Sequence, residues 1–287
     1  MILVQVLQGL MEGVGLFLIA SGLTLIFGVS RIVNFAHGSF YMLGAFLTYT
    51  IYPYLLHGGL LGFYGSIILC GVLVSVVGVL FEVLVLRRVY GQEELMQLVM
   101  TVAAVLILRD LTKFVWGKED LSVPLPRALS GSLVIQGTYL PIYQLAMVAV
   151  GVVVLALIWA TLLYTRMGII LRAATDDRGM VALLGINQAH VFTAVFMVGS
   201  FLAGIAGGLM SAFETINYLL DARIIVTAFI VVVIGGLGNL YGALAGAIAV
   251  GVVKALGLLY APRLSMVLIF LLMASVLMTR ALRRTAD

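Results

Sequence analysis

The stretch Arg31-Ile-Val-Asn34-Phe-Ala-His37-Gly38 sets a guanidinium, an amide, an imidazole and a helix-breaking glycine between two long apolar runs. Backbone that leaves its helix near a bilayer must be shielded by protein or face a wet cavity. Polar side chains at such a break mark a route for solutes or ions. A second break, Gly235-Gly236-Leu-Gly238-Asn239-Leu-Tyr241-Gly242, repeats the pattern of apolar run, Asn, aromatic or His, Gly and apolar run. Paired Gly-interrupted segments are the usual sequence trace of a transporter repeat. Asn34, His37 and Tyr41, with Asn239 and Tyr241, are the candidates to line a passage, and such a lining suits neutral, zwitterionic or amide solutes. Tight turns would use the same Asn and Gly for backbone reasons, and that alternative stays open at both breaks.

Ionisable groups also fall inside apolar runs: Glu12, Glu82, Arg109, Asp110 and Lys254. Each would cost at least about 2.5 kcal/mol at the centre of a bilayer. Glu82 lies within reach of Arg87 or Arg88, and Arg109 and Asp110 lie toward the outer end of their run. Glu12 and Lys254 lie deeper and face either a cavity or each other, as coupling charges or as a structural ion pair. Enzymatic signatures are missing. The chain has no phosphate-binding G-x-x-x-x-G-K-[ST] loop, no zinc-type His/Cys cluster and no G-x-S-x-G turn. Cys70, the single cysteine, excludes an internal disulfide framework, and His57 and His190 sit near the ends of runs with no special role expected.

The elements that must position these groups are membrane helices. The chain is 63% hydrophobic and 10% charged over 287 residues. A water-facing surface needs roughly 25% charged residues. Apolar runs fall near 6–29, 37–56, 61–86, 95–116, 142–164, 191–213, 223–237, 241–260 and 263–281. The main runs have the roughly 20 residues needed to cross about 30 Å of hydrocarbon, whereas 223–237 is short enough to be a half-span that turns back. The expected fold is an all-α polytopic bundle of eight or nine segments in a single domain, 1–287. The N-terminal MILVQVLQGLMEG lacks the basic start and cleavage site of a secretory signal, so the first run is expected to be retained.

Basic residues set the orientation. Arg87 and Arg88, then Arg166, Arg172 and Arg178, then Arg280, Arg283 and Arg284 all face the cytoplasm if nine segments start from an outside N-terminus. Arg31 then also lies inside, as an anchor or pairing group, and the loop 117–141 lies outside. The small excess of cations sits at run ends and does not argue for nucleic acid. Small residues predict close helix crossings: Gly204 and Gly208 flanked by Ser200 and Ser211, and Gly238, Gly242 and Gly246.

The one sizeable polar stretch on the inner side is 165–190. Thr175 or Asp176 can cap a short helix there and Gly185 can end it. Met180, Val181, Leu183 and Leu184 give it an apolar face, and Asp176, Asp177 and Arg178 a polar one. Such a helix can dock into a groove on a soluble partner or lie on lipid. The acidic pair favours the protein partner, because an anionic leaflet repels Asp.

Three blocks in order carry a family resemblance: Gly22-Leu-Thr-Leu-Ile-Phe-Gly28 through Asn34-Phe-Ala-His37-Gly38 to Tyr41-Met-Leu-Gly44-Ala45; Arg166-Met-Gly168, Arg172-Ala-Ala and Leu183-Leu-Gly185-Ile-Asn187; and Gly235-Gly-Leu-Gly238-Asn239 with Gly242-Ala. With their spacers they cover nearly the whole chain, and it resembles the LivH-type permeases of branched-chain amino acid ABC importers. The resemblance implies one half of a pore in a bacterial cytoplasmic (inner) membrane. It implies a second, LivM-like permease, two cytoplasmic ATP-binding subunits and an outer substrate-binding protein as partners. ATP and Mg would sit on the ATPase subunits, with no cofactor on this chain. It also makes 172–187 the coupling loop, with Arg172, Asp176, Asp177, Gly185 and Asn187 as its residues. One departure is plain: Arg172 stands where many ABC importers have Glu, and four residues separate Ala174 from Gly179. Related permeases also carry urea, short amides and organic acids, so an importer of those solutes is an alternative. An ion-coupled carrier using Glu12 and Lys254 is another.

Overall fold

The computed structural model describes residues 2–55, 59–135 and 138–284; His57 lies outside them. Helix α1 (Ile2–Ser30) is predominantly apolar and takes the centre. It packs against α10 (Leu240–Tyr260), α8 (Gln188–Met210), α5 (Ile142–Tyr164) and α9 (Leu220–Gly235). Helix α2 (His37–Leu55) packs on α8, α9 and α3 (Gly59–Leu84). Helices α4 (Glu94–Trp116) and α11 (Ser265–Arg284) lie at the periphery. The outer helices α3, α4, α5 and α11 expose Leu61, Phe114, Val152 and Met278, so their apolar faces point away from the chain's own core. A helix apolar on its outward side is a membrane helix.

Among the described residues, six helices are long and apolar enough to cross a membrane: α1, α3, α5, α8, α10 and α11. The remaining apolar runs, α2, α4 and α9, are helical too. Helix α9 spans only 16 residues, starting at Leu220, three residues before the expected 223. Helix α4 carries Glu94, Arg109, Asp110 and Lys113. The expected outer loop 117–141 is partly strand: β1 (Ser132–Ile135) and β2 (Thr138–Pro141) form an antiparallel hairpin with Leu133 opposite Leu140 and Val134 opposite Tyr139. The fold is all-α as expected, and this hairpin is an addition in the loop that four-residue strands without clear alternation do not announce. Leu121 pairs with Ile216, tying the loop to the segment between α8 and α9.

Helix contact rests on backbone approach. A Cβ on Gly44 of α2 would fall onto the Gly204 backbone of α8, and one on Gly207 onto the Tyr41 carbonyl. Gly9 and Gly13 of α1 face Gly251 and Ala247 of α10 in the same way. Ser200 fills the space beside Gly78 of α3, and Gly246 lies against Val231 of α9. Lipid tails supply no hydrophobic drive between helices, so packing distance carries the association. Gly44→Ala should therefore lower the melting temperature of the detergent-purified protein, at a cost of about 1–3 kcal/mol. Gly65→Ala, with nothing within 4 Å of the added methyl, should leave it unchanged or slightly raised.

Candidate functional site

The first break ends α1 with Arg31 at φ 56°, its amide donating to the Phe27 carbonyl at 2.8 Å. This is a left-handed helix stop on a residue other than glycine, a strained choice. The Ser30 hydroxyl donates to the Ile26 carbonyl (2.7 Å) and accepts from the Ile32 amide (3.3 Å). Asn34 Oδ1 accepts from the Ala36 amide at 3.1 Å, a turn that launches α2. His37 Nε2 lies 3.0 Å from the Ile19 carbonyl and so carries the ring proton. Tyr41 donates to the Glu214 carboxylate. Asn34, His37 and Tyr41 are each 0% exposed; His37 holds α2 to α1 and Tyr41 holds it to the segment after α8. Asn34 Nδ2 and His37 Nδ1 are buried without a partner. Gly38 admits the Asp221 carbonyl of α9, where a Cβ would collide.

The second break turns α9 into α10. Gly236 (φ 96°) and Gly238 (φ 82°) take left-handed conformations open to glycine at no steric cost. Asn239 caps α10, accepting from the Gly242 amide at 3.0 Å, and Gly242 packs on the Gly235 backbone. From α11, Arg280 donates to the Val233 and Ile234 carbonyls at 3.4 and 2.6 Å, satisfying the end of α9. Tyr241 is exposed and stacks edge-on with Trp159 of α5 at 5.9 Å.

The polar stretch 165–190 folds as α6 (Arg166–Asp176) and α7 (Arg178–Leu183). Thr165 caps α6, accepting from the Gly168 amide at 3.0 Å. The cap of α7 is Asp177, accepting from the Met180 amide at 3.1 Å, not Thr175 or Asp176, because α6 runs unbroken through both. Gly185, at φ 79°, stops α7, and Asn187 caps α8. A Cβ on Gly28, near the end of α1, would meet Gly238 Cα at 3.2 Å and Thr175 Cγ2 at 3.4 Å. Helix α6, the end of α1 and the second break thus touch at one point. Beside that point a cavity of about 390 Å³ opens between α1, α5, α6 and α10, with Arg172, Asp176, Asn239 and Tyr241 as its polar lining. Beyond it, Met180 and Leu183 stand exposed on α7, with Leu184 exposed at its end.

Four of the five charges flagged inside apolar runs have a counterpart. Glu12 and Lys254 form an ion pair at 2.9 Å. Glu82 binds Arg87 at 3.1 Å and also accepts from Tyr90 and Thr193. Arg109 grips Asp221 of α9 through three N–H···O contacts of 2.9–3.3 Å. Asp110 points outward. Asp221, Thr193 and Arg280 went unseen as partners in the sequence, since each lies over forty residues from the group it binds. Glu214 was likewise missed; burial pushes its carboxyl up, while the Tyr41 hydrogen bond, Arg223 and Lys254 pull it back.

These features define a multi-pass helical membrane protein with two glycine breaks and an amphipathic segment, α6–α7, that touches the second. A family model described as "Branched-chain amino acid transport system / permease component" matches residues 5–277. The chain belongs to that family, whose members are transport subunits and not enzymes. It is 30% identical over 270 residues to the high-affinity branched-chain amino acid transport system permease protein LivH of Salmonella typhimurium, covering 89% of this chain and 86% of that protein. It is 28% identical to the permease protein BraD of Pseudomonas aeruginosa, over 88% and 85% of the two chains. Among solved structures, PsaBC from Streptococcus pneumoniae in complex with Fab is similar over 95% of this chain and 89% of that one, at 14% identity and TM-score 0.45.

The Arg109–Asp221 pair ties α4 to α9 and gives a direct test. Arg109→Ala leaves a carboxylate that is 1% exposed without its counter-ion and should cost about 3–5 kcal/mol of stability. Asp110→Ala, on the outward face of the same helix, should cost under about 0.5 kcal/mol in the same melting assay.

Proposed function

We propose that this chain is the permease subunit of an ATP-driven importer of branched-chain or related amino acids, forming half of the translocation pathway. The observation that carries the reading is the meeting of Gly28, Gly238 and Thr175. Movement of the inner segment reaches both helix breaks through that one contact. Exposed Met180 and Leu183 on α7, with Leu184 at its end, offer an apolar knob for a groove on a cytoplasmic ATPase. ATP and Mg belong to two such ATPase subunits, a LivM-like permease completes the pore, and an outer binding protein delivers the solute. The relatives named above are themselves described as branched-chain amino acid permeases, which supports the substrate class.

Nine membrane segments suit this role: α1 to α5 and α8 to α11, with the N-terminus outside and the C-terminus in the cytoplasm of a bacterial inner membrane. Under that path Arg87, Arg172 and Arg280 share the inner side, as the bias of basic residues requires. The passage runs past Asn239 and Tyr241 on the inner cavity, with Arg172 and Asp176 at its mouth. Asn34, His37 and Tyr41 brace the wall behind it. The Glu12–Lys254 bond gives these groups a structural use and does not favour ion coupling.

Reconstitution with the partner subunits tests the reading. Uptake of leucine, isoleucine or valine into vesicles should require ATP and the ATPase subunits; uptake that survives without them overturns it. Within the active assembly, Leu183→Ser should lower ATP-coupled uptake at least about tenfold, matching loss of about 1.4 kcal/mol or more at the docking contact. Amino-acid binding by the outer protein should be unaffected, and undiminished coupled uptake would count against the docking role of α7.

A further inference from the structure

On the other side of the central helix, a cavity of about 470 Å³ lies between the start of α9, the end of α10 and the start of α11. Its size falls within the range of small-molecule sites, roughly 300–1,000 Å³. Its charged lining is Glu214, Arg223 and Lys254. The Arg223 guanidinium reaches the Thr215 carbonyl at 3.5 Å, which sets it beside Glu214. Lys254 is ion-paired with Glu12, its side chain is 40% exposed, and it lines the cavity. Farther along, Ile230, Ile269 and Phe270 form an apolar wall. Ile230 follows Arg223 by two helical turns, about 10 Å.

The lining therefore has two cations and a carboxylate at one end, with a second carboxylate behind Lys254, and hydrocarbon at the other. The formal charges cancel, so neither an anion nor a cation is favoured as a whole. A guanidinium offers paired N–H donors that match a carboxylate. A neighbouring carboxylate accepts from an ammonium. A ligand that fits has both opposite charges at one end and an aliphatic body at the other.

We infer that this cavity is a transit site for a zwitterionic aliphatic α-amino acid. Arg223 holds its carboxylate, Glu214 its ammonium, and Ile230, Ile269 and Phe270 its side chain. The choice of amino acids as cargo rests on the permease reading; the demand for both charges on one small ligand comes from the cavity. Tyr41, bonded to Glu214, links occupancy to the first turns of α2.

Site-directed labelling tests this on the full chain in its native assembly. Cys70 is the only cysteine and is buried, so Thr227→Cys places one reactive thiol on the cavity wall. Leucine or valine should slow its reaction with a small polar thiol reagent, about threefold at twice the dissociation constant. Leucinamide, which lacks the carboxylate, and isovalerate, which lacks the ammonium, should not. Adding Arg223→Gln should abolish protection, Arg223→Lys should restore part of it, and Glu214→Gln should abolish it independently. An unchanged labelling rate without ligand serves as the check on folding for each variant. Absence of protection by leucine and valine, or equal protection by leucinamide and isovalerate, overturns the inference. Labelling needs no ATP. Protection without ATP-driven uptake would sink the importer reading and leave the site standing, and uptake without protection would do the reverse.

Discussion

The fold depends on backbones touching across α1, α8 and α10. Gly9, Gly13 and Gly22 on α1 meet Gly251 and Ala247 of α10 and Gly199 of α8 at distances that leave no room for a Cβ. In a membrane the helices gain nothing from hiding apolar surface, since the surrounding lipid is equally apolar. Dispersion and close carbonyl contacts remain, and both decay steeply with separation. The depth at which α2 starts, the turn between α9 and α10 and the seat of the inner segment all follow from these crossings. Larger residues there would push the central helix out of line and separate Gly28 from Gly238.

Buried charge adds direction to this packing. A glycine stripe lets helices slide and rotate; an ion pair in low dielectric does not. Arg109–Asp221 sets α4 against α9, Glu12–Lys254 sets α1 against α10, and Glu82 with Arg87 and Thr193 sets α3 against α8. Removing both partners of such a pair often costs little, whereas removing one is costly. These pairs therefore serve register more than net stability.

Much of this was legible in the sequence. Apolar runs located the long helices because a span of fixed length is a one-dimensional signal. Gly185 and the two glycine-rich breaks were legible as punctuation, because a left-handed φ or a close approach restricts residue type locally. The family resemblance, carried by blocks from Gly22 to Gly242, agrees with the family model match. What stayed hidden depends on contacts distant in the chain. Nothing near Arg109 announces Asp221, and nothing near Tyr41 announces Glu214. The Asn34 and His37 side chains are legible as polar, but their burial and their bonds to the Ala36 amide and the Ile19 carbonyl are not, since both depend on the packing of α2 against α1. The α7 cap moved to Asp177 because α6, itself capped by Thr165, took up Thr175 and Asp176 first. The β1–β2 hairpin was missed because four-residue strands hold too few positions for a period of two to show.

The grip of Arg280 on the Val233 and Ile234 carbonyls has a consequence for how the chain is made. Helix α9 ends at a glycine turn with its last carbonyls seeking donors, and the donor arrives from the final helix. During synthesis α9 and α10 emerge well before Arg280 does. Until then the end of α9 must borrow water or another donor, so the second break is the last of the two to reach its finished form. A chain ending before α11 would therefore lack the donor that closes the second break, while the bonds of the first break would all be present.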